Sequence, residues 1–113
     1  MSRFAERLAA SDAPAAEGLL RRALEHRWNG DLVRQYGALT GADADARRVV
    51  SEGWLKERPN DADLLLALGR ISLQVGAWAQ AREYLEASLR LRRSPEAQAE
   101  LGRLCAAMGD AER

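Results

Sequence analysis

The side chains best suited to recognise another molecule are two arginines that each follow a Leu-Gly pair. Leu68-Gly69-Arg70 recurs as Leu101-Gly102-Arg103, 33 residues further along the chain. A guanidinium group is planar, always charged and able to hold a carboxylate through two parallel hydrogen bonds. The repeated arginines therefore indicate recognition of carboxylates, in an acidic peptide or in the propionates of a porphyrin. A purely structural alternative is that they form ion pairs within the fold, with Asp63, Glu96 or Glu100.

His26 and Cys105 are the only histidine and the only cysteine, and each has a structural interpretation. His26 falls at the end of a predicted helix, where it interacts with the helix dipole or is solvated, and a haem ligand is the functional alternative. Cys105 falls at the repeat position of Ser72, so we expect a small core residue instead of a nucleophile or a haem thiolate. Three tryptophans are expected in the core, and Trp28 is the one with an alternative role as an aromatic platform. We predict no catalytic residue, no cofactor and no metal site.

Composition describes one helical domain over residues 1–113. Apolar residues make up 47% of the chain and charged residues 30%, and the formal net charge is zero. No global field attracts nucleic acid or an anionic membrane, so we expect neither as a partner. The longest aliphatic run, Leu64 to Leu68, is far shorter than a membrane span. The chain as given is expected to be soluble, and its first residues are equally consistent with a piece of a longer protein.

Helical periodicity, interrupted by Gly, Pro, Asp and Asn, predicts seven helices with short connections. The connections force neighbouring helices to pack as antiparallel hairpins. In the fourth helix, the expected buried stripe consists of Ala46, Val50, Gly53 and Trp54. The predicted helices cover residues 3–10, 13–27, 31–39, 43–57, 62–75, 78–91 and 96–108.

The spacing of 33 residues also relates Gly76 to Gly109, and such a period is typical of a solenoid. A glycine inside a helix costs about 1 kcal/mol relative to alanine, so Gly69 needs a close helix opposite it, with Ala81 as the small facing residue. Gly76 suits a left-handed turn after a helix. The large Trp78 is then expected to wedge between the two helices.

These residues resemble the 34-residue tetratricopeptide (TPR) motif. The positions that carry the resemblance are Leu68, Gly69, Gly76, Trp78, Ala81 and Ser88. It implies an all-α fold of antiparallel hairpins stacked as a right-handed superhelix, with irregular hairpins at 1–61, one repeat at 62–95 and a partial repeat at 96–113. In TPR geometry the first helices of successive repeats line a concave groove. The expected partner-binding residues of this groove are Arg34, Leu66, Arg70, Leu73, Gln74 and Arg103.

A more particular resemblance is to the C-terminal TPR region of the HemY family, bacterial inner-membrane proteins linked to haem biosynthesis. It spans about residues 14 to 110 and departs from the family at Ala79-Gln80, where Gly-Lys is expected. It implies a soluble part of a membrane-anchored protein, facing the cytoplasm. The residues that carry it are Leu32-Val33-Arg34-Gln35-Tyr36-Gly37, Trp54-Leu55, Pro59, Leu64 to Arg70, Trp78, Ala81-Arg82 and Tyr84-Leu85-Glu86-Ala87-Ser88-Leu89.

Three hypotheses for function follow. The leading one is a non-catalytic scaffold for protein partners, with enzymes of the haem pathway as candidates. The alternative is direct binding of a porphyrin or haem, as a carrier or accessory domain. The third is a structural role with weak self-association through a poorly covered face of the last helix, at Leu101, Leu104 and Met108. The enzyme label protoporphyrinogen oxidase, sometimes given to HemY proteins, is not supported, because a strand-linked GxGxxG motif is absent.

Overall fold

Six α-helices account for most of the residues that this computed structural model describes, 13–41 and 43–112, and there is no strand among them. The all-helical class is thus confirmed, whereas the helix predicted at 3–10 lies outside the described residues. None of the six combines the length and apolar character needed to cross a bilayer. The helices are α1 (Ala13–His26), α2 (Gly30–Ala38), α3 (Ala44–Glu57), α4 (Ala62–Gln74), α5 (Trp78–Leu91) and α6 (Pro95–Glu112).

Side-chain caps explain why the helices begin where the sequence predicts. Asn29 accepts hydrogen bonds from the backbone N–H groups of Asp31 and Leu32 at the start of α2, at 2.8 and 3.2 Å. Asp43 and Asp61 cap α3 and α4 in the same way. The one large error in a boundary is the end of α6, which continues to Glu112 instead of stopping near residue 108.

Helix α4 is the centre of the fold. It contacts α2, α3, α5 and α6, and its residues from Leu64 to Gly69 are all buried. The apolar residues of α4 occupy more than a single stripe, which is why it must be covered on several sides. The prediction that this helix is packed on more than one side is confirmed.

Two groups of core residues lie on different sides of α4. The first joins α4 to α1 and α2, through residues such as Leu20, Val33, Tyr36 and Leu68. The second joins α4 to α5 and α6 through Leu66, Ala81, Leu85, Ala97 and Leu104. Trp78 packs against this second group, at the α4–α5 junction.

The predicted buried stripe of α3 is half right, since Val50 and Trp54 pack against the first group of core residues. Ala46 and Gly53 are exposed, whereas Arg47 and Ser51 are fully buried. Arg47 can be buried because its guanidinium group donates to the carbonyl oxygen of Tyr36 in α2 and to the side chain of Gln74 in α4. A rule that buries apolar residues cannot anticipate a buried arginine.

The two Leu-Gly pairs repeat in sequence but not in their contacts. A Cβ atom built on Gly69 would lie 2.5 Å from Cδ2 of Leu85, so the predicted close approach of α5 is confirmed. No atom lies within 4 Å of the equivalent position on Gly102. Gly76 has φ of 78° and makes the expected left-handed turn, but its copy Gly109 lies inside α6 without a positive φ.

Two further predictions for the last helix are wrong. Cys105 is exposed, although its repeat counterpart Ser72 is buried. The face expected to be uncovered is packed instead: Leu104 is 1% exposed, and Leu101 and Met108 lie against the second group of core residues. Since α6 contacts α5 and α4 through these residues, the opposite side of the helix carries Cys105 to the surface.

The two glycines offer a matched test of this packing. We expect Gly69→Ala to lower the free energy of unfolding by roughly 1–2 kcal/mol, because overpacking against Leu85 outweighs the gain in helix propensity. The Cβ of Gly102→Ala would point into open space, so this substitution should raise the free energy of unfolding by up to about 1 kcal/mol. Urea unfolding followed by circular dichroism measures both. Equal stabilisation by the two substitutions would contradict the packing described for α4 and α5.

Candidate partner-binding groove

Helix α4 contacts both α2 and α6, and we refer to these three helices as the row. Two pockets that share Ala38 and Arg70 lie on this row, and we refer to the two together as the groove. The α4–α6 pocket is an open depression with a volume of about 470 Å³, lined by Ala38, Thr40, Arg70, Leu73, Gln74, Glu100, Arg103 and Ala107. The α2–α4 pocket is lined by Asp31, Arg34, Gln35, Ala38, Arg70 and Glu96.

Most of the residues predicted for a groove are brought together here. Leu66 is the exception, because it is 1% exposed and belongs to the core between α4, α5 and α6. The residues of α4 that line the groove begin only at Arg70, a difference that the run of five apolar residues before Gly69 does not reveal. The predicted residues that line the groove are Arg34, Arg70, Leu73, Gln74 and Arg103.

A buried glutamate joins the two arginines of the Leu-Gly-Arg elements. Nε of Arg70 lies 3.4 Å from Oε1 of Glu100, and Nη1 of Arg103 donates to the same oxygen. Glu100 is only 6% exposed, whereas the Arg103 side chain is 71% exposed. The ion pairs foreseen as the structural alternative are therefore present for both arginines, and Arg70 has a structural role as a bridge from α4 to α6.

Arg34 is held by carboxylates as well. Its guanidinium group contacts Asp31 and lies 2.7 Å from Oδ1 of Asp63, which also accepts from Arg92. Burial alone would raise the pKa of Asp63, but the hydrogen bonds and charges of Arg92 and Arg34 outweigh it and hold the pKa below its ordinary value. The α2–α4 pocket is thus mixed in charge, and Arg34 is engaged by two carboxylates.

A buried arginine and a glutamine fix the shape of the α4–α6 pocket. Arg47 donates from Nη1 to the carbonyl oxygen of Tyr36 at 2.9 Å and from Nη2 to Oε1 of Gln74. Gln74 in turn donates from Nε2 to the carbonyl oxygens of Gly37 and Leu39, at 3.3 and 3.0 Å. These bonds satisfy acceptors at the end of α2 that the helix itself leaves open.

Arg47 also places a positive charge beneath the surface of the groove, next to Gln74. It is 0% exposed, and no carboxylate in the described part of the chain lies within ion-pair distance of it. Burial lowers the pKa of Arg47, but arginine remains protonated in proteins at neutral pH. Sequence reasoning missed this residue. The available signal was its place on the stripe of α3 that also carries Ser51, Trp54 and Leu55.

Trp28, Tyr36 and Trp54 pack in the first group of core residues and do not form an open platform. Nε1 of Trp28 donates to Asp61 at 2.7 Å, and its ring lies edge-on to Trp54, with centroids 5.4 Å apart. The guanidinium carbon of Arg58 lies 4.1 Å from the Trp28 centroid, so this cation covers one face of the ring. The expected packing role of Trp28 and Trp54 fits these contacts, and the platform alternative for Trp28 does not.

His26 and Cys105 are both exposed, and neither lines the groove. Among the described residues, no group of three or more His, Cys, Asp or Glu side chains is arranged to hold a metal ion. No family model matches the chain, and no curated protein matches it either.

The role of Gln74 can be tested by removing its polar end. We expect Gln74→Leu to lower the free energy of unfolding by roughly 2–3 kcal/mol, because two backbone acceptors and one N–H group of Arg47 lose their partner. Gln80→Leu, on the exposed side of α5, is the matched control and should change it by less than about 0.5 kcal/mol. Chemical denaturation measures both. Similar values for the two variants would show that the network does not support the fold.

Because the pKa of Asp63 is lowered in the folded state, the free energy of unfolding should depend on pH in the acidic range. In the unfolded chain the pKa of an aspartate is about 3.9, and in the folded protein the pKa of Asp63 is lower. The ionised carboxylate therefore stabilises the fold at pH values above the unfolded pKa. This stabilisation is lost as the pH falls through the pKa of the folded state. Asp63→Asn should therefore lower the free energy of unfolding by about 1–2 kcal/mol at pH 7, and by progressively less towards pH 2. Thermal and urea unfolding across this range measure the difference. A cost independent of pH would contradict the ion pairs of Asp63.

Proposed function

We propose that this chain is a non-catalytic interaction module that binds an acidic segment of a partner protein in the groove. The observation that carries the proposal is the meeting of Arg70 and Arg103 at a pocket of about 470 Å³ with apolar walls. Carboxylates of the partner would bind the guanidinium groups, and its apolar atoms would pack against Ala38, Leu73 and Ala107.

The charges at the α4–α6 pocket favour an anion. Arg70 and Arg103 line this pocket together with a single carboxylate, that of Glu100, and the buried Arg47 lies behind Gln74, to which it donates. A charge that is shielded from water acts over a longer distance than an exposed one, so Arg47 contributes although no ligand can touch it. The local excess of positive charge exists in a chain whose formal net charge is zero.

The internal ion pairs do not use all the N–H donors of Arg70 and Arg103. A guanidinium group has five N–H donors, and Glu100 accepts from Arg70 through Nε and from Arg103 through Nη1. A further donor of Arg70, Nη1, lies 3.5 Å from the carbonyl oxygen of Arg34, which is at the limit of a hydrogen bond. Donors of both side chains thus stay available to a ligand at the pocket.

The row of α2, α4 and α6 supports the proposal that the fold is a TPR-like superhelix whose first helices line the binding surface. The resemblance to the HemY family supports a partner among the enzymes of haem biosynthesis. On the same basis we propose a parent protein anchored in the inner membrane, with this domain on the cytoplasmic side. The porphyrin alternative gains nothing from the pockets, since neither His26 nor Cys105 lines them.

Charge reversal in the groove tests the proposal. We expect the double variant Arg70→Glu/Arg103→Glu to bind a fluorescein-labelled hexaglutamate peptide at least about tenfold more weakly than the parent chain, because attraction is replaced by repulsion. Fluorescence anisotropy at low salt measures the affinity, and a hexaglutamine peptide reports binding that does not depend on charge.

The matched control carries the same change in net charge outside the groove. Arg82 and Arg90 are exposed on α5 and line neither pocket, so Arg82→Glu/Arg90→Glu should bind within about threefold of the parent chain. Equal affinities of the two double variants would place binding elsewhere. Pull-down of candidate haem-pathway enzymes by the same variants extends the test to protein partners.

A further inference from the structure

Glu100 occupies an unusual position for a residue of an anion-binding pocket. It is itself a carboxylate, it is 6% exposed, and it lines the same pocket as the two arginines that it contacts. Both guanidinium groups donate to one of its oxygens, Oε1. An incoming carboxylate therefore meets arginines that already have an acidic partner.

Two opposing effects of Glu100 on a ligand can be compared in size. A ligand carboxylate bound to the same arginines lies on the order of 5 Å from Glu100, and repulsion over that distance near a protein surface weakens binding on the order of a hundredfold. Glu100 also holds Arg70 and Arg103 in place, and ordering a long side chain in advance strengthens binding by about tenfold. Because Arg103 remains 71% exposed, the second effect is the smaller one.

From this balance we infer that Glu100 is the specificity-determining residue of the groove, an internal competitor that lowers its affinity for carboxylates. The inference rests on the proposed function and adds a selection rule to it. A ligand with a single carboxylate only replaces Glu100 as the partner of the arginines. The buried carboxylate of Glu100 is then left without its partners, which is unfavourable. A segment with several carboxylates gains further contacts from the free donors and from the field of Arg47. The groove thus selects densely acidic segments over isolated acidic residues.

The substitution Glu100→Gln separates the two effects, because it keeps the shape and an acceptor oxygen but removes the charge. We expect it to bind the labelled hexaglutamate peptide about tenfold more tightly than the parent chain. It should also bind a peptide with one glutamate among five glutamines, which the parent chain binds far more weakly than hexaglutamate. Glu86→Gln, an exposed glutamate on α5 that lines neither pocket, is the charge-matched control and should stay within about twofold of the parent chain.

Affinity of Glu100→Gln equal to or below that of the parent chain would overturn the inference, since ordering of the arginines would then outweigh repulsion. Equal gains in Glu100→Gln and Glu86→Gln would also overturn it, because net charge alone would explain them. Circular dichroism verifies that each variant folds. Glu100→Met, which fills the same volume without a charge, replaces Glu100→Gln in the comparison if the latter does not fold.

A second measurement tests Glu100 without any ligand. Phenylglyoxal modifies guanidinium groups that are not engaged, so its reaction at Arg70 and Arg103, followed by peptide mass spectrometry, should be faster in Glu100→Gln than in the parent chain. Unchanged reaction rates would contradict the competitor role even if the groove binds the acidic peptides. A different result is faster modification of the arginines in Glu100→Gln while no variant binds either peptide. It would overturn the proposed function but would still show that Glu100 engages the two arginines.

Discussion

Helix α4 must be buried on nearly every side, and this requirement fixes where the other helices lie. Its residues Leu64 to Leu68 supply apolar surface to both groups of core residues. Helices α2, α3, α5 and α6 all contact it. The strip of α4 that remains half-buried or exposed carries Arg70, Leu73 and Gln74. The position of the groove is thus a consequence of how the core is covered.

The same arrangement explains why the groove is built from polar residues that are held in place. Gln74 and Arg47 satisfy carbonyl groups at the end of α2, so the wall of the α4–α6 pocket is fixed by hydrogen bonds instead of by a loop. Glu100 ties α6 to α4 through Arg70. Each of these residues stabilises the fold and shapes the groove, which is why charge and stability have to be measured separately in every variant.

Local sequence signals were sufficient for the helices and for much of the groove. Interruptions of the helical periodicity by Gly, Pro, Asp and Asn predicted where the helices begin, and the Leu-Gly-Arg repeat pointed to Arg70 and Arg103, which line one pocket. Periodicity failed where a tertiary partner decides the outcome. Arg47 is buried because the carbonyl oxygen of Tyr36 and the side chain of Gln74 lie within its reach, and Cys105 is exposed because α6 packs through Leu104 instead. The pairing of Glu100 with both arginines depends on how α4 and α6 meet, which the repeat alone does not specify.

The most direct test of the central claim, that the row of α2, α4 and α6 is the binding surface, is nuclear magnetic resonance of the ¹⁵N-labelled chain titrated with hexaglutamate. Specific binding in the groove should shift the amide resonances of residues such as Ala38, Thr40, Leu73 and Ala107, and leave those of exposed residues on α3 and α5, such as Val49 and Glu86, in place. Shifts concentrated on α3 and α5, or no saturable shifts in the groove, would contradict the account.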